Sequence, residues 1–117
     1  MAYLLLIVEP VDQRAQRSER EGRDAYASMV EFANGLREQG VLRACESLTS
    51  LRDAVRVSKK AGDPRLVDGP FAEAKEMIGG FFLLDCETRE EAVAIAAQCP
   101  AAEWCTVEVR KVGPCFE

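Results

Sequence analysis

The residue with the clearest chemical potential is an aspartate that precedes a glycine–proline pair. Asp68 is followed by Gly69, Pro70 and Phe71, and this order restricts the backbone and would aim the carboxylate in one direction. If Asp68 faced an apolar cleft, desolvation would raise its pKa and suit it to general acid or base catalysis. Aspartate before glycine is also common turn chemistry, in which the side chain accepts backbone hydrogen bonds. The pattern favours this structural role over catalysis and leaves both open.

Charged and thiol side chains supply further candidates. Lys75 could hold an anionic ligand group, although pairing with Glu73 on the same face of an extended segment is the more common arrangement. Cys45 and Cys105 are weak candidates for nucleophiles, because the chain has no histidine to generate a thiolate. The five cysteines form no C-x-x-C motif, so we expect no metal site, no redox pair and no cofactor.

Two other groups have competing interpretations. Four arginines recur every three residues and would form a basic, anion-binding or docking edge on a helix: Arg14, Arg17, Arg20 and Arg23. Acidic neighbours cancel their charge, which favours a solvated face. Tyr26 and Trp104 could line a pocket, but packing in the core or at an interface is the commoner role of such side chains.

Composition excludes several classes of protein. The 117 residues include 15 basic and 20 acidic side chains, a net charge of -5, so a nucleic-acid footprint is missing. The longest apolar run covers residues 4–8, far short of the ~20 residues of a membrane span, and has no basic start or cleavage site of a secretory signal. We therefore expect one cytoplasmic domain, residues 1–117, that contacts neither membrane nor nucleic acid directly.

The elements that must position these residues alternate between strand and helix patterns. We predict a first helix opened by a capping box at Ser18 and Glu21 and closed at Gly40, and a second opened at Thr88 and Glu91 that stops by Cys99. Predicted strands cover residues 3–8, 41–48, 54–59, 77–86 and 104–111, with a short extended piece at 66–67. Gly79 and Gly80 indicate a bulge or a close backbone approach. This order predicts an α+β fold, the ferredoxin-like βαββαβ two-layer sandwich.

One face of the predicted sheet lacks a cover. Both helices would pack on the same face, yet residues 3–8 and 81–84 show no polar alternation that would suit a solvated second face. A second copy of the chain is the simplest cover, so we predict a homodimer.

The segment Val67-Asp68-Gly69-Pro70-Phe71-Ala72-Glu73-Ala74-Lys75-Glu76, followed by Gly79-Gly80-Phe81, resembles the DGPF branch of the YCII-related family. That branch carries the signature DGPFAETKE before a glycine and an aromatic strand. The resemblance extends along most of the chain, through residues 3–6, 40–42, 46, 48, 90–92, 99–100 and 107–110.

The resemblance implies a dimeric α/β-barrel-like assembly with a cleft near the Asp68–Phe71 turn. Asp68 is then the candidate catalytic residue, and the candidate ligand-binding residues are Glu46, Phe71, Lys75, Gly80 and Phe81. The wider family pairs a histidine with an aspartate, and this sequence lacks the histidine. Further departures are Ala74, where the signature has threonine, and Cys45 and Ser47, which replace glycines beside Glu46.

Three functions follow as hypotheses. The first is a homodimer that binds a small organic ligand without altering it. The second is a lyase or isomerase that uses Asp68 as general acid or base, with Lys75 as an electrostatic helper. The third, implied by the resemblance, is an accessory partner of an extracytoplasmic-function sigma factor that uses the acidic surface of the second half of the chain.

Overall fold

Residues 1–116 are described by a computed structural model and form six β-strands and two α-helices. In chain order the elements are β1 (Ala2–Pro10), α1 (Glu19–Glu38), β2 (Leu42–Ser47), β3 (Val55–Lys60), β4 (Asp63–Asp68), β5 (Glu76–Asp85), α2 (Arg89–Gln98) and β6 (Thr106–Lys111). Short 3-10 turns occupy Arg14–Gln16, Leu51–Asp53 and Pro100–Glu103. Neither helix is long and apolar enough to cross a bilayer.

The main sheet has four antiparallel strands in the order β2-β5-β1-β6. The two most apolar strands, β1 and β5, occupy its centre, where each pairs with a neighbour on both sides. With α1 and α2 as the connections, this is the ferredoxin-like arrangement, and the predicted α+β fold is confirmed. The β3–β4 hairpin is inserted between β2 and β5 and forms a separate two-stranded sheet.

The core lies between the main sheet and the helices. Alternation along β1 places Tyr3, Leu5 and Ile7 on this side, and all three are buried. Phe82 of β5 meets the edge of Phe32 of α1, with ring centroids 5.4 Å apart at 76°. Complete burial of a Leu or Phe side chain contributes about 1.5–3 kcal/mol, so this face accounts for much of the fold's stability.

Local signals set the helix ends. The capping box at the start of α1 is complete: the Ser18 hydroxyl accepts from Glu21 N, and the Glu21 carboxylate accepts from Ser18 N. Gly40 follows the helix with φ of +75°, a conformation that glycine adopts without strain. The box of α2 is only half formed, because Thr88 accepts from Glu91 N while Glu91 reaches the backbone of Glu87 instead.

The opposite side of the main sheet carries an apolar surface that no helix covers. We call it the open face, and it consists of Leu4, Leu6, Val8, Ile78, Phe81 and Leu83 with charged residues towards its edges. Five of these side chains are partly buried, whereas Ile78 is 39% exposed. The described chain is 19 Å thick against 46 and 42 Å in the other directions, which is the thickness of two layers.

The β3–β4 hairpin, residues 55–68, extends from the sheet, and we call it the arm. Every residue of both strands is exposed, including four apolar side chains that are 49–66% exposed: Val55, Val57, Leu66 and Val67. The Cα radius of gyration is 16.0 Å, larger than the about 13 Å of a compact domain of this length. The arm accounts for this elongation.

The last strand starts later than the sequence pattern predicts. The predicted strand began at residue 104, but β6 begins at Thr106 because Pro100–Glu103 forms a 3-10 turn. Pro100 occupies the first position of this turn, where its fixed φ and missing N–H are tolerated. Trp104 ends the turn and faces the site described next.

Candidate cavity between the first helix and the sheet

A cavity of about 630 Å³ lies between α1 and the core side of the sheet. Its walls are largely apolar and include Ile7, Met29, Ala33 and Phe82. Tyr26 and Trp104 also line it, and Trp104 packs against the core as well, whereas Tyr26 is 60% exposed. The polar end of the cavity is formed by Glu9, Arg14 and Arg17.

Glu9 is the buried acid of this site. It follows Tyr3, Leu5 and Ile7 in the same alternation of β1 and is 5% exposed. The bulge in β5 makes room for it: Gly80 pairs with Ile7 and residue 78 with Val8, which leaves Gly79 as the extra residue. A Cβ at Gly79 would collide with the Glu9 carboxylate and the Arg14 guanidinium, so any other residue there would displace this pair. The predicted bulge and close backbone approach are both present.

Arg14 neutralises Glu9 of β1 and also bonds to β5 and to the residue that follows β2. Its Nε lies 2.5 Å from Glu9 Oε1, and its two Nη atoms donate to the carbonyls of Leu48 at 2.8 Å and Gly79 at 3.3 Å. A buried carboxylate requires such a partner, because an unpaired charge would cost several kcal/mol. The interpretation of the arginine series as a solvated face is wrong for Arg14, because its guanidinium is occupied by these three contacts. The four arginines also do not lie on one helix, since Arg14–Gln16 is a separate 3-10 turn before α1.

Arg17 lies at the mouth of the cavity on an aromatic platform. Its guanidinium carbon is 5.4 Å from the centroid of the Trp104 ring, and one Nη contacts Gln13 Oε1 at 3.5 Å. Gln13 in turn donates to the Trp104 carbonyl at 2.7 Å, which fixes the platform. Within residues 1–116, no carboxylate oxygen lies within 4.0 Å of the Arg17 guanidinium.

Two thiols near the site, those of Cys99 and Cys105, are not activated nucleophiles. Burial, followed by the negative charge of Glu9, raises the pKa of Cys105 to about 11, so this thiol stays protonated at neutral pH. Burial also raises the pKa of Cys99, whose sulfur lies 3.8 Å from that of Met29. Cys45 lines the cavity as a free cysteine. The described residues contain no group of three or more His, Cys, Asp or Glu side chains that could hold a metal ion.

Two of the predicted ligand-binding residues line this cavity. Gly80 lies on the cavity side, and a Cβ there would come within 2.8 Å of the Glu46 carbonyl oxygen, which explains the glycine. Glu46 lines the cavity next to it but pairs in register with Phe81, so both side chains project towards the open face. Phe81 therefore belongs to the open face rather than to the cavity.

The remaining predicted residues lie at the base of the arm. Asp68 ends β4 and is exposed, and the neighbouring Gly69 donates to the Ala54 carbonyl at 2.8 Å. Phe71 is buried outside the main core, with the guanidinium of Arg56 3.7 Å from its ring centroid. Lys75 is exposed, and its carbonyl accepts from Val11 N. A single chain thus does not bring these residues together with Gly80 and Glu46.

The expected pairing of Glu73 with Lys75 is not formed. Glu73 pairs with Arg56 at 3.2 Å, because residues 72–73 form a turn and not an extended segment. Both partners are more than half exposed, so the pair contributes little to stability.

Glu9 is the site residue that the sequence analysis missed, and Arg14 was considered only as a member of the arginine series. The signal for Glu9 was present, since it continues the buried register of β1 by one more alternation opposite a double glycine. No comparable signal predicted the contacts of Arg14 with Leu48 and Gly79, because these partners are 34 and 65 residues away in the chain.

Known proteins share the fold of this chain, and the family match includes the segment 67–76 that carries the resemblance. The chain matches the YCII-related domain over residues 1–115 and belongs to that family. It is 35% identical over 81 residues to an uncharacterised protein of Rhizobium meliloti (strain 1021), an alignment that covers 69% of this chain and 62% of that relative. The fold is similar to that of the 5-chloro-2-hydroxyhydroquinone dehydrochlorinase of Burkholderia phenoliruptrix AC1100, solved in complex with 2,5-dihydroxybenzoquinone. That match has a TM-score of 0.51 and 13% identity, and it covers 97% of this chain and 94% of the other.

Proposed function

We propose that this protein binds a small organic molecule in the cavity between α1 and the sheet. The observation that carries the proposal is a cavity of about 630 Å³ with apolar and aromatic walls and a charged end at Glu9, Arg14 and Arg17. Ligand sites typically measure ~300–1,000 Å³ and combine apolar walls with a few polar groups that orient the ligand. A ligand with an apolar body and one polar end fits this distribution.

The similar fold of a dehydrochlorinase bound to a quinone gives this proposal its first probe. At 13% identity the two proteins share a fold, which by itself does not carry function across. The quinone is nevertheless small enough for a cavity of about 630 Å³, and its acidic hydroxyl groups suit the arginines at the charged end. 2,5-Dihydroxybenzoquinone is therefore a reasonable compound with which to begin.

A homodimer formed through the open face is part of the proposal. The support is the uncovered apolar surface of β1 and β5, together with a described chain that is two layers thick. Two copies packed through these surfaces would bury both, as in sheet-on-sheet packing.

Association with an extracytoplasmic-function sigma factor stays a prediction of the resemblance, and co-purification of the two proteins would test it.

Lyase or isomerase chemistry at Asp68 is the alternative that the sequence suggested. Asp68 is exposed on the arm of a single chain, outside the cavity, so ligand binding has the stronger structural support. Unchanged turnover by an Asp68→Asn variant, for any substrate that is found, would exclude this role.

Two glycines of α1 offer a matched test of the cavity. Gly22 lines it and Gly35 does not, while a Cβ at either position meets no atom within 4 Å. We expect Gly22→Phe to weaken binding of 2,5-dihydroxybenzoquinone at least tenfold by calorimetry, because the new ring would occupy the cavity. Gly35→Phe should bind as the wild type does. Absence of binding to the wild type, or equal binding by both variants, would refute the proposal.

A further inference from the structure

We propose that Arg17 binds an anionic group of the ligand, so that the ligand of this cavity is an organic acid with an apolar body. This inference rests on the proposed function, because it assigns the ligand's polar end to one side chain of the same cavity. The anion would be a carboxylate or a similar delocalised oxyanion, which matches the planar donor geometry of a guanidinium.

The other charged side chains around the cavity are already compensated or directed elsewhere. Glu9 is neutralised by Arg14, whose guanidinium is also used by the two backbone carbonyls. Glu19 pairs with Arg23 at 2.6 Å on the surface of α1. Glu46 projects towards the open face through its pairing with Phe81. Arg17 is thus the cation at the cavity that retains an uncompensated charge among the described residues.

Glu21, the acid on α1 whose pKa the charge of Arg17 influences, is occupied by the helix cap. Hydrogen bonds with the Ser18 backbone and then with its side chain hold the pKa of Glu21 below its ordinary value, and the positive charge of Arg17 lowers it further. Glu21 Oε1 accepts from Ser18 N at 2.8 Å, which directs the carboxylate to the helix terminus. Arg17 and Glu21 therefore attract each other electrostatically, but they form no ion pair within 4.0 Å among the described residues.

Arg17 is also held in place before any ligand arrives. The Trp104 ring supports one side of the guanidinium, and the contact with Gln13 uses one of its five N–H donors. Most donors therefore remain available to a ligand, and little side-chain entropy is lost when they are used. Arg17 also lines a second cavity of about 370 Å³, together with Trp104, Glu21 and Asp24, and it is partly exposed.

The test compares two aromatic probes of the same size that differ in charge. Calorimetry would measure binding of 2-naphthoate and 2-naphthamide to the wild type and to Arg17→Gln. We expect the wild type to prefer the acid by about tenfold to a hundredfold, the range for hydrogen bonds to charged groups. In Arg17→Gln this preference should disappear while binding of the amide stays unchanged.

Two further variants separate a local contact from a general charge effect. Arg20→Gln removes the same charge from an exposed position on α1 that lines neither cavity, and it should retain the preference of the wild type. Arg17→Lys keeps the charge and should retain part of the preference, even if the packing of Trp104 is altered in Arg17→Gln. Failure of Arg17→Lys to prefer the acid more than Arg17→Gln does would overturn the inference.

The outcomes also distinguish this inference from the proposed function. If both probes bind the wild type equally, or if Arg17→Gln keeps the preference, the assignment of Arg17 is wrong although the cavity binds ligands. If neither probe binds at millimolar concentration, the inference fails. If 2,5-dihydroxybenzoquinone does not bind to the wild type either, the cavity is rejected as a ligand site.

Discussion

At the scale of single residues, the segment 68–71 has a clear structural role at the base of the arm. Gly69 donates to the Ala54 carbonyl and approaches the Leu51 carbonyl so closely that no side chain would fit. Phe71 is buried beneath the guanidinium of Arg56. These contacts explain the glycine and the phenylalanine by packing, whereas the exposed Asp68 carboxylate has no donor among the hydrogen bonds of the described residues.

A substitution of Gly69 tests this role. Gly69→Ala would place a Cβ against the backbone oxygen of Leu51, and backbone atoms cannot rotate away as a flexible side chain can. We expect a loss of about 1–3 kcal/mol in the free energy of unfolding, measured with urea. Gly22→Ala is the control: its Cβ meets open space on a helix, so stability should rise by about 0.5–1 kcal/mol. A neutral Gly69→Ala variant would show that the arm base adjusts freely.

At the scale of elements, the start of α1 matters for the site because it directly follows Arg17 and lines the cavity with it. Ser18 and Glu21 satisfy backbone N–H groups that have no partner within the helix. The same turn positions Ser18 and Gly22 at the cavity. Loss of this cap would therefore affect the binding site as well as the helix.

The cap predicts a dependence of stability on pH. Because the pKa of Glu21 is lowered in the folded chain, its ionised form stabilises the fold above the ordinary glutamate pKa, and this contribution is lost as the pH falls through the folded value. Urea unfolding should show wild type more stable than Glu21→Gln near neutral pH, with the difference shrinking in acid. Glu31→Gln, an exposed position on the same helix, should show no such convergence. A constant difference at all pH values would contradict the assignment.

At the scale of the whole molecule, one sheet face is covered by helices and the other is not. The open face carries six apolar side chains, and the arm carries four exposed ones. Such groups differ from the single apolar side chains that are normal on a protein surface, and they are typical of interaction sites. An isolated two-stranded hairpin is marginally stable in water, so the arm also benefits from contact with another surface. Both features support the proposed homodimer.

Two aspartate variants of similar exposure test the dimer. Ile78 lies on the open face and is 39% exposed, and Val93 lies on α2 and is 40% exposed. We expect light scattering to give a dimer for the wild type and for Val93→Asp, and a monomer for Ile78→Asp, because the new charge would be buried at the interface. A monomeric wild type at micromolar concentration, or a dimeric Ile78→Asp, would contradict the proposal.

The sequence by itself determined the order of elements, their caps and the family. Each of these depends on neighbouring residues: the alternation of β1, the box at Ser18 and Glu21, the glycine after α1 and the motif at 68–71. The double glycine even indicated the bulge, because glycine in a strand has few other reasons to occur.

Only the tertiary structure decided where the site lies. The cavity depends on Arg14 reaching Glu9, Leu48 and Gly79, and on Arg17 stacking over Trp104, 87 positions further along the chain. Such contacts leave no local periodicity, so the sequence directed attention to the motif at Asp68, whose residues lie at the arm. The physical reason is that spacing along a chain encodes local backbone geometry, whereas a cavity is defined by side chains that only folding brings together.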